Sequence, residues 1–150
     1  MIETVVKDGK ADIDLLKKSG YIACHMREED KKEILYQNDT PESAVLSSIL
    51  YSHECFMYLE KGIPLCIYGI TKTKNGTCIW MLASQEMEKH PKALIRIGMD
   101  YIKDKVKEGP VFNMISEDNI KALRYIRHAG AEFHTPIYVN GHKFIPFEIR

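Results

Sequence analysis

The histidines, cysteines, carboxylates and side-chain amides of this 150-residue chain are the groups able to do chemistry. His53-Glu54-Cys55 puts three metal-ligand types side by side. Neighbours on a strand point to opposite faces, so the three cannot share one ion. His128, His134 and His142 lie near one another in sequence, but their spacing fits no zinc pattern, and no metal is expected. Cys24, Cys55, Cys66 and Cys78 include no C-x-x-C pair, so reduced, structural thiols are expected. Cys66 and Cys78 fall inside apolar runs, where a thiol packs as a small hydrophobe. Asn119 opens a helix, where it caps the backbone or contacts a ligand. Asn113 and Ser116 close a short apolar strand, as cleft polar groups or strand-end caps. Lys121, Arg124, Arg127 and His128 make a modestly basic helix face, read as solvated or as a contact for a phosphate tail. Met81, Met87 and Met99 read as gap-filling core.

Composition narrows the classes. Lys+Arg and Asp+Glu are balanced at 21 each, which excludes the basic excess of a dedicated nucleic-acid binder. No apolar run approaches the length of a membrane span, and MIETVVKDGKADIDLL lacks the core of a signal peptide. The expectation is one intracellular domain over residues 1–150, with neither nucleic acid nor membrane as partner.

The elements that must position these groups follow from pattern. A strand is predicted near Glu3–Val6. A helix is capped by Asp12, runs through Lys18 and ends at Gly20. Glu28–Tyr36 is a charged helical segment, with Arg27–Lys32 (REEDKK) a solvated face. Thr40-Pro41-Glu42-Ser43 starts a third helix, with Thr as N-cap and Pro at the first helical position. Cys55–Leu59, Ile63–Thr73 and Thr77–Ser84 form an antiparallel meander, turned at Glu60-Lys61-Gly62 and at Asn75-Gly76. The nearly all-apolar Thr77–Ser84 reads as a central strand buried on both faces. A helix from His90-Pro91 to about Val106 leads to the strand Val111–Ile115, implying a parallel pair joined by a right-handed crossover. A last helix opens at Ser116-Glu117-Asp118-Asn119 and stops at Gly130. A hairpin, Glu132–Val139 and His142–Ile149, closes the chain around Asn140-Gly141. The fold class is α+β, with a mixed, mainly antiparallel sheet flanked by helices and one parallel central strand pair.

This order resembles the GNAT superfamily of acyl-CoA-dependent N-acetyltransferases. NIKALRYIRHAGAEF is similar to that family's N-x-x-A-x-x-x-Y-x-x-x-G-F helix at Asn119, Ala122 and Gly130. Gly62–Ile67, Cys78–Trp80 and Gly130–His134 look most like a small acetyltransferase-like family of tailed phages that includes an internal virion protein. The likeness covers about Cys55–Ile149.

The resemblance implies acetyl-CoA in a splay between Thr77–Ser84 and Val111–Ile115. Leu82, Ala83, Ser84, Lys89, His90, Asn113 and Asn119 would bind the cofactor, and an amine would be the acceptor. Two departures stand out. The family's glycine-rich phosphate loop corresponds to Ser84–Pro91, which has no glycine and carries Glu86 and Glu88 among Lys89, His90 and Lys92. The family's acid tyrosine corresponds to Ile126. The catalytic candidates that remain are Tyr125, one residue earlier, as acid, and Glu54 or Glu60, acting through water, as base. Two functions follow: an N-acetyltransferase, or a non-catalytic virion or host-factor-binding protein on the same fold. In either case the resemblance places it in the infected host's cytoplasm or in the virion, with a phage or host protein as partner in the second. The two departures favour the second.

Overall fold

A computed structural model describes residues 1–150. The strands are Ile2–Lys7 (β1), Lys10–Ala11 (β2), Glu54–Glu60 (β3), Ile63–Thr73 (β4), Gly76–Ala83 (β5), Val111–Ser116 (β6), Glu132–Phe133 (β7), Ile137–Val139 (β8) and His142–Ile149 (β9). The helices are Ile13–Cys24 (α1), Glu28–Tyr36 (α2), Pro41–Leu50 (α3), Pro91–Val106 (α4) and Ile120–His128 (α5), with a 3-10 turn at Gln85–Lys89. One sheet runs in the order β2-β1-β3-β4-β5-β6-β9-β7, and β8 pairs with β9. Every pairing is antiparallel except β5 with β6.

Caps and turns place these elements as the residues dictate. Asp12 accepts from the Leu15 amide, Thr40 from Ser43 and Asn119 from Ala122, so the starts of α1, α3 and α5 each have a partner for an otherwise orphaned N–H. Lys61-Gly62 and Asn140-Gly141 are left-handed at both positions, the geometry that matches strand twist in a two-residue hairpin. Three apolar clusters result, one of them around Leu65, Cys66, Met87 and Ile97. Ile22, Ile49, Met57 and Ile67 fill the one under α1–α3, with Trp80 and Leu82 packed against it. Ile70, Ile102, Val111, Ile126 and Phe147 lie on the face under α4 and α5.

Several expectations need correction. Helix α1 runs through Gly20 to Cys24, because Ile22 and Ala23 carry its apolar face into the core and tertiary burial outweighs the weak propensity of glycine. The Asn75-Gly76 turn is offset by one residue: Thr73 pairs with Gly76, so Lys74-Asn75 is the loop and Gly76 begins β5. The C-terminal hairpin's first arm is broken into β7 and β8, with Pro136, which has no N–H to donate, in the gap. β5 is not buried on both faces. Only Ile79 and Ala83 along it are buried, because the strand borders a gap. The REEDKK segment is not simply solvated either, since Asp30 is buried within it. All four cysteines are free, with Cys66 fully buried, Cys78 half-buried and Cys24 exposed.

Candidate functional site

The parallel pair holds for only two residues, Thr77 with Val111 and Cys78 with Phe112; beyond them β5 and β6 splay apart. Splaying leaves backbone groups of both edges without a ladder, and each buried group needs another partner. Helix α2 and Asn113 supply most of them. Asn113 donates from Nδ2 to the Ile79 carbonyl at 2.6 Å and accepts the Met114 amide at 2.7 Å. The Ala83 amide donates to Asp30 at 2.9 Å, while the Arg27 amide donates to the Ala83 carbonyl at 3.0 Å. The Ser116 amide donates to Glu33 Oε1 at 3.0 Å. Alternation along β5 turns Ile79, Met81 and Ala83 toward β6, so the peptide of Met81 faces the gap between two that are already engaged.

Arg27, Asp30 and Glu33 reach the splay because they recur every three residues on one side of α2. Arg27 Nε and Asp30 form a 2.8 Å ion pair. Glu33 also accepts from Asn119 Nδ2 at 3.2 Å. Burial raises the Glu33 carboxyl to about 7, against the opposing hydrogen bonds from Ser116 and Asn119. A carboxyl with that value takes and gives protons near neutrality.

Three cavities meet here. One of about 170 Å³ lies behind the splay under α4 and α5, lined mainly by apolar side chains such as Ile79, Met81, Ile115 and Ile126, with Arg27, Asp30, Glu33, Asn113 and Asn119 as polar groups. A second, of about 290 Å³, shares Arg27, Met81, Asn119, Ala122 and Tyr125 with it and reaches the start of α4. A third, of about 270 Å³, opens on the α2–α3 side and shares Asp30, Glu33, Trp80, Met81 and Asn113 with the first. The splay is thus a passage with a cavity on each face of the sheet.

The residues expected from sequence are distributed as follows. Asn113 and Asn119 are in the splay, both in structural hydrogen bonds as well as lining the cavities. Ala83 and Ser84 are fully buried, and Ser84 Oγ donates to the Leu65 carbonyl. Leu82 faces the α2–α3 cavity, and Lys89 sits outside, paired with Glu86 at 3.3 Å. His90 precedes α4 without a side-chain cap. Tyr125 lines two cavities, but its hydroxyl donates to the Ile95 carbonyl at 3.0 Å across Gly98, and burial raises it to about 12. Glu54 is held by Tyr101 at 2.8 Å and Lys105 at 3.0 Å, and it lines none of the three cavities. Glu60 accepts the Tyr58 hydroxyl at the far end of β3. Glu33 was not singled out from sequence, Met81 was read only as gap-filling core, and Trp80 only as part of the Cys78–Trp80 motif. The available signal was the Arg27–Asp30–Glu33 spacing continuing onto buried Ile34, which marks that side as inward.

Solved structures share this architecture. The GNAT domain of S. lividans PAT superposes with a TM-score of 0.68 at 9% identity, covering 99% of this chain and 88% of that one. The ribosomal-protein-S18-alanine N-acetyltransferase from Escherichia coli gives 0.62 at 11%, covering 99% and 92%. A Bacillus subtilis acetyltransferase in complex with CoA gives 0.57 at 16%, covering 83% and 95%. No family model matches the sequence, and no curated protein resembles it in sequence. The chain therefore has the GNAT fold: a mostly antiparallel sheet with one parallel strand pair, flanked by five helices.

Acyl-CoA can be tested against these residues. The acyl end fits, because the Met81 peptide and an apolar-lined cavity with one poised carboxyl meet at the splay. The nucleotide end departs from the usual cradle. In the 3-10 turn the Met87 and His90 amides bond inward to Ser84 and Met87, and the Gln85 amide bonds the His25 carbonyl. Few open N–H groups are left there for a pyrophosphate. The groove wall carries Arg27 and Lys121 against Glu29 and Glu88.

Proposed function

We propose that the protein is an N-acyltransferase that draws its acyl group from an acyl thioester such as acetyl-CoA and passes it to an amine. The observation that carries this reading is Glu33, a half-buried carboxyl that desolvation raises to about 7 where the strand splay joins cavities on both faces. The Met81 peptide N–H is the donor for the acyl carbonyl, and Asn113 holds the neighbouring Ile79 carbonyl out of the way. A bound thioester supplies an activated carbonyl with a sulfur leaving group. Glu33, ionised above about pH 7, takes a proton from the incoming ammonium so that the nitrogen has a free lone pair. It takes the base role in place of Glu54, whose carboxylate is committed to Lys105. Attack forms the C–N bond and breaks the C–S bond, and the sulfur leaves as a thiolate that takes its proton from water, because the Tyr125 hydroxyl is engaged by Ile95.

A non-catalytic reading, as a virion or host-factor-binding protein of a phage, is favoured by one observation: Asp30 and Arg27 occupy both backbone groups of Ala83, where a cofactor arm would pair with β5. Thermal unfolding with 1 mM acetyl-CoA, followed by thiol release in the presence of an amine, separates the two. Saturable stabilisation with thiol release above pH 7 supports transfer. Neither signal at millimolar acetyl-CoA would leave the non-catalytic reading standing.

A further inference from the structure

The cavity under α4 and α5 is polar at one end only. Its charged and amide members recur in the other two cavities: Arg27 and Asn119 toward the start of α4, and Asp30, Glu33 and Asn113 on the α2–α3 side. They ring the splay, where the three spaces meet. Every residue that belongs to this cavity alone among the three is apolar, aromatic or glycine, including Tyr68, Ile79, Tyr101, Ile102, Ile126 and Phe147. The Tyr101 and Tyr125 hydroxyls are spent on Glu54 and on the Ile95 carbonyl. At position 126 the family resemblance leads to a tyrosine, and isoleucine keeps that hydroxyl away from the inner end.

This end is also too large for an acetyl group. A dry apolar cavity of about 150 Å³ holds benzene, and this one is about 170 Å³. Acetyl brings one methyl and would leave most of the lining without dispersion partners. The inner wall is held by aromatic packing. Tyr68 and Tyr101 meet edge to face at 4.9 Å, and Phe56 packs against both at 5.8 Å. A thioester with its carbonyl on the Met81 amide has two spaces before it. The groove toward the start of α4 is left for the arm beyond the sulfur, and the apolar end for the acyl tail.

We infer that the acyl group this chain selects is an unbranched, uncharged chain of about six carbons, with its tail against Ile102, Ile126 and Phe147. A charged tail is excluded, because no side chain of opposite charge stands at the inner end to offset its desolvation. The inference rests on the acyl-transfer reading and adds to it the class of donor and the residues that set chain length.

The experiment measures calorimetric binding and thiol release by the full chain with the CoA thioesters of acetyl, butanoyl, hexanoyl, dodecanoyl and succinyl groups. Each buried methylene tightens binding about fourfold, so each step of two carbons up to hexanoyl should gain about fifteenfold. Dodecanoyl overfills the space and should fall at least tenfold below hexanoyl, and succinyl should bind no better than acetyl. Thiol release should follow the same order in kcat/KM. Ile126→Phe fills the inner end and should lower the hexanoyl-to-acetyl ratio at least tenfold; where that variant does not fold, the series on the native protein decides without it. A second titration uses hexanamide and acetamide, which carry chain and carbonyl without sulfur or nucleotide. Hexanamide should move the Ile102 and Ile126 methyl resonances saturably, and acetamide should not.

Acetyl-CoA binding as tightly as hexanoyl-CoA, or acetamide moving those methyls as hexanamide does, overturns the chain length and leaves acyl transfer in place. Hexanamide moving both methyls with no thioester bound at 1 mM keeps the chain pocket and removes the transferase, so the two ideas fail separately. No response to hexanamide or to any thioester overturns both.

Discussion

Replacing Glu33 by glutamine isolates the property on which the site depends. Glutamine keeps an oxygen to accept from the Ser116 amide and Asn119, so the splay keeps its geometry. Only the charge is lost. Burial moves the native carboxyl from its ordinary 4.5 to about 7, so the folded state binds more protons than the unfolded one between those values. Wild-type stability therefore falls as pH rises from about 4.5 to about 7 and is level above that. The full difference is about 3 kcal/mol, or about 6–12 °C for a domain of this size. The variant lacks that decline. Its unfolding temperature should equal the wild type's near pH 4.5, exceed it progressively through pH 6, and hold the full margin at pH 8. Circular-dichroism melts of both proteins at five pH values check this. In the same series, acyl transfer by the wild type should rise through an inflection near pH 7, and the variant should lose it. Parallel melting curves for the two proteins from pH 4.5 to pH 9 would refute the reasoning, because Glu33 would then be an ordinary solvated carboxylate.

Further substitutions test the splay and the sheet beside it. Asp30→Ala strands Arg27 and the buried Ala83 amide together, and should cost about 3 kcal/mol in urea denaturation. Asp30→Asn keeps an acceptor for the amide and should cost about half as much. Gly69→Ala would drive a methyl group into the Glu54 carbonyl on the paired strand β3. Backbone cannot give way as a side chain does, so a loss of about 3 kcal/mol is expected, read as a fall in unfolding temperature. Lys105→Met leaves Glu54, which is 13% exposed, without its cation. It should destabilise by about 3 kcal/mol, and adding Glu54→Gln should recover most of that loss, which a double-mutant cycle measures directly.

The parts of the fold legible in sequence are those that local rules decide. The Thr40-Pro41 helix start, the Lys61-Gly62 and Asn140-Gly141 turns and the strand–helix–strand step to Val111 all rest on caps, turn residues and periodicity. These signals hold whatever the chain does elsewhere. The departures in Ser84–Pro91 and at Ile126 were also legible. In the structure they become a glycine-free 3-10 turn whose Met87 and His90 amides bond inward, and a buried core side chain. Helix α2 is the counterexample. Arg27–Lys32 is charge-balanced, and its Arg27–Asp30 pair fits the i,i+3 spacing of an exposed helix, so the one local mark of an inward side is that the same stripe runs on to Ile34. Its orientation is set by a demand elsewhere: β5 and β6 part after two residue pairs, and Ala83 and Ser116 need partners. Asp30, Glu33 and the Arg27 amide meet that demand, because unpaired buried backbone costs more than partial desolvation of a compensated carboxylate. A solvated helix and a wedge that holds the sheet open thus share one charge pattern, and the gap that distinguishes them lies some fifty residues away along the chain. Glu33 titrates near neutrality for the same reason, since the helix that satisfies the splay must carry that carboxyl into a cavity.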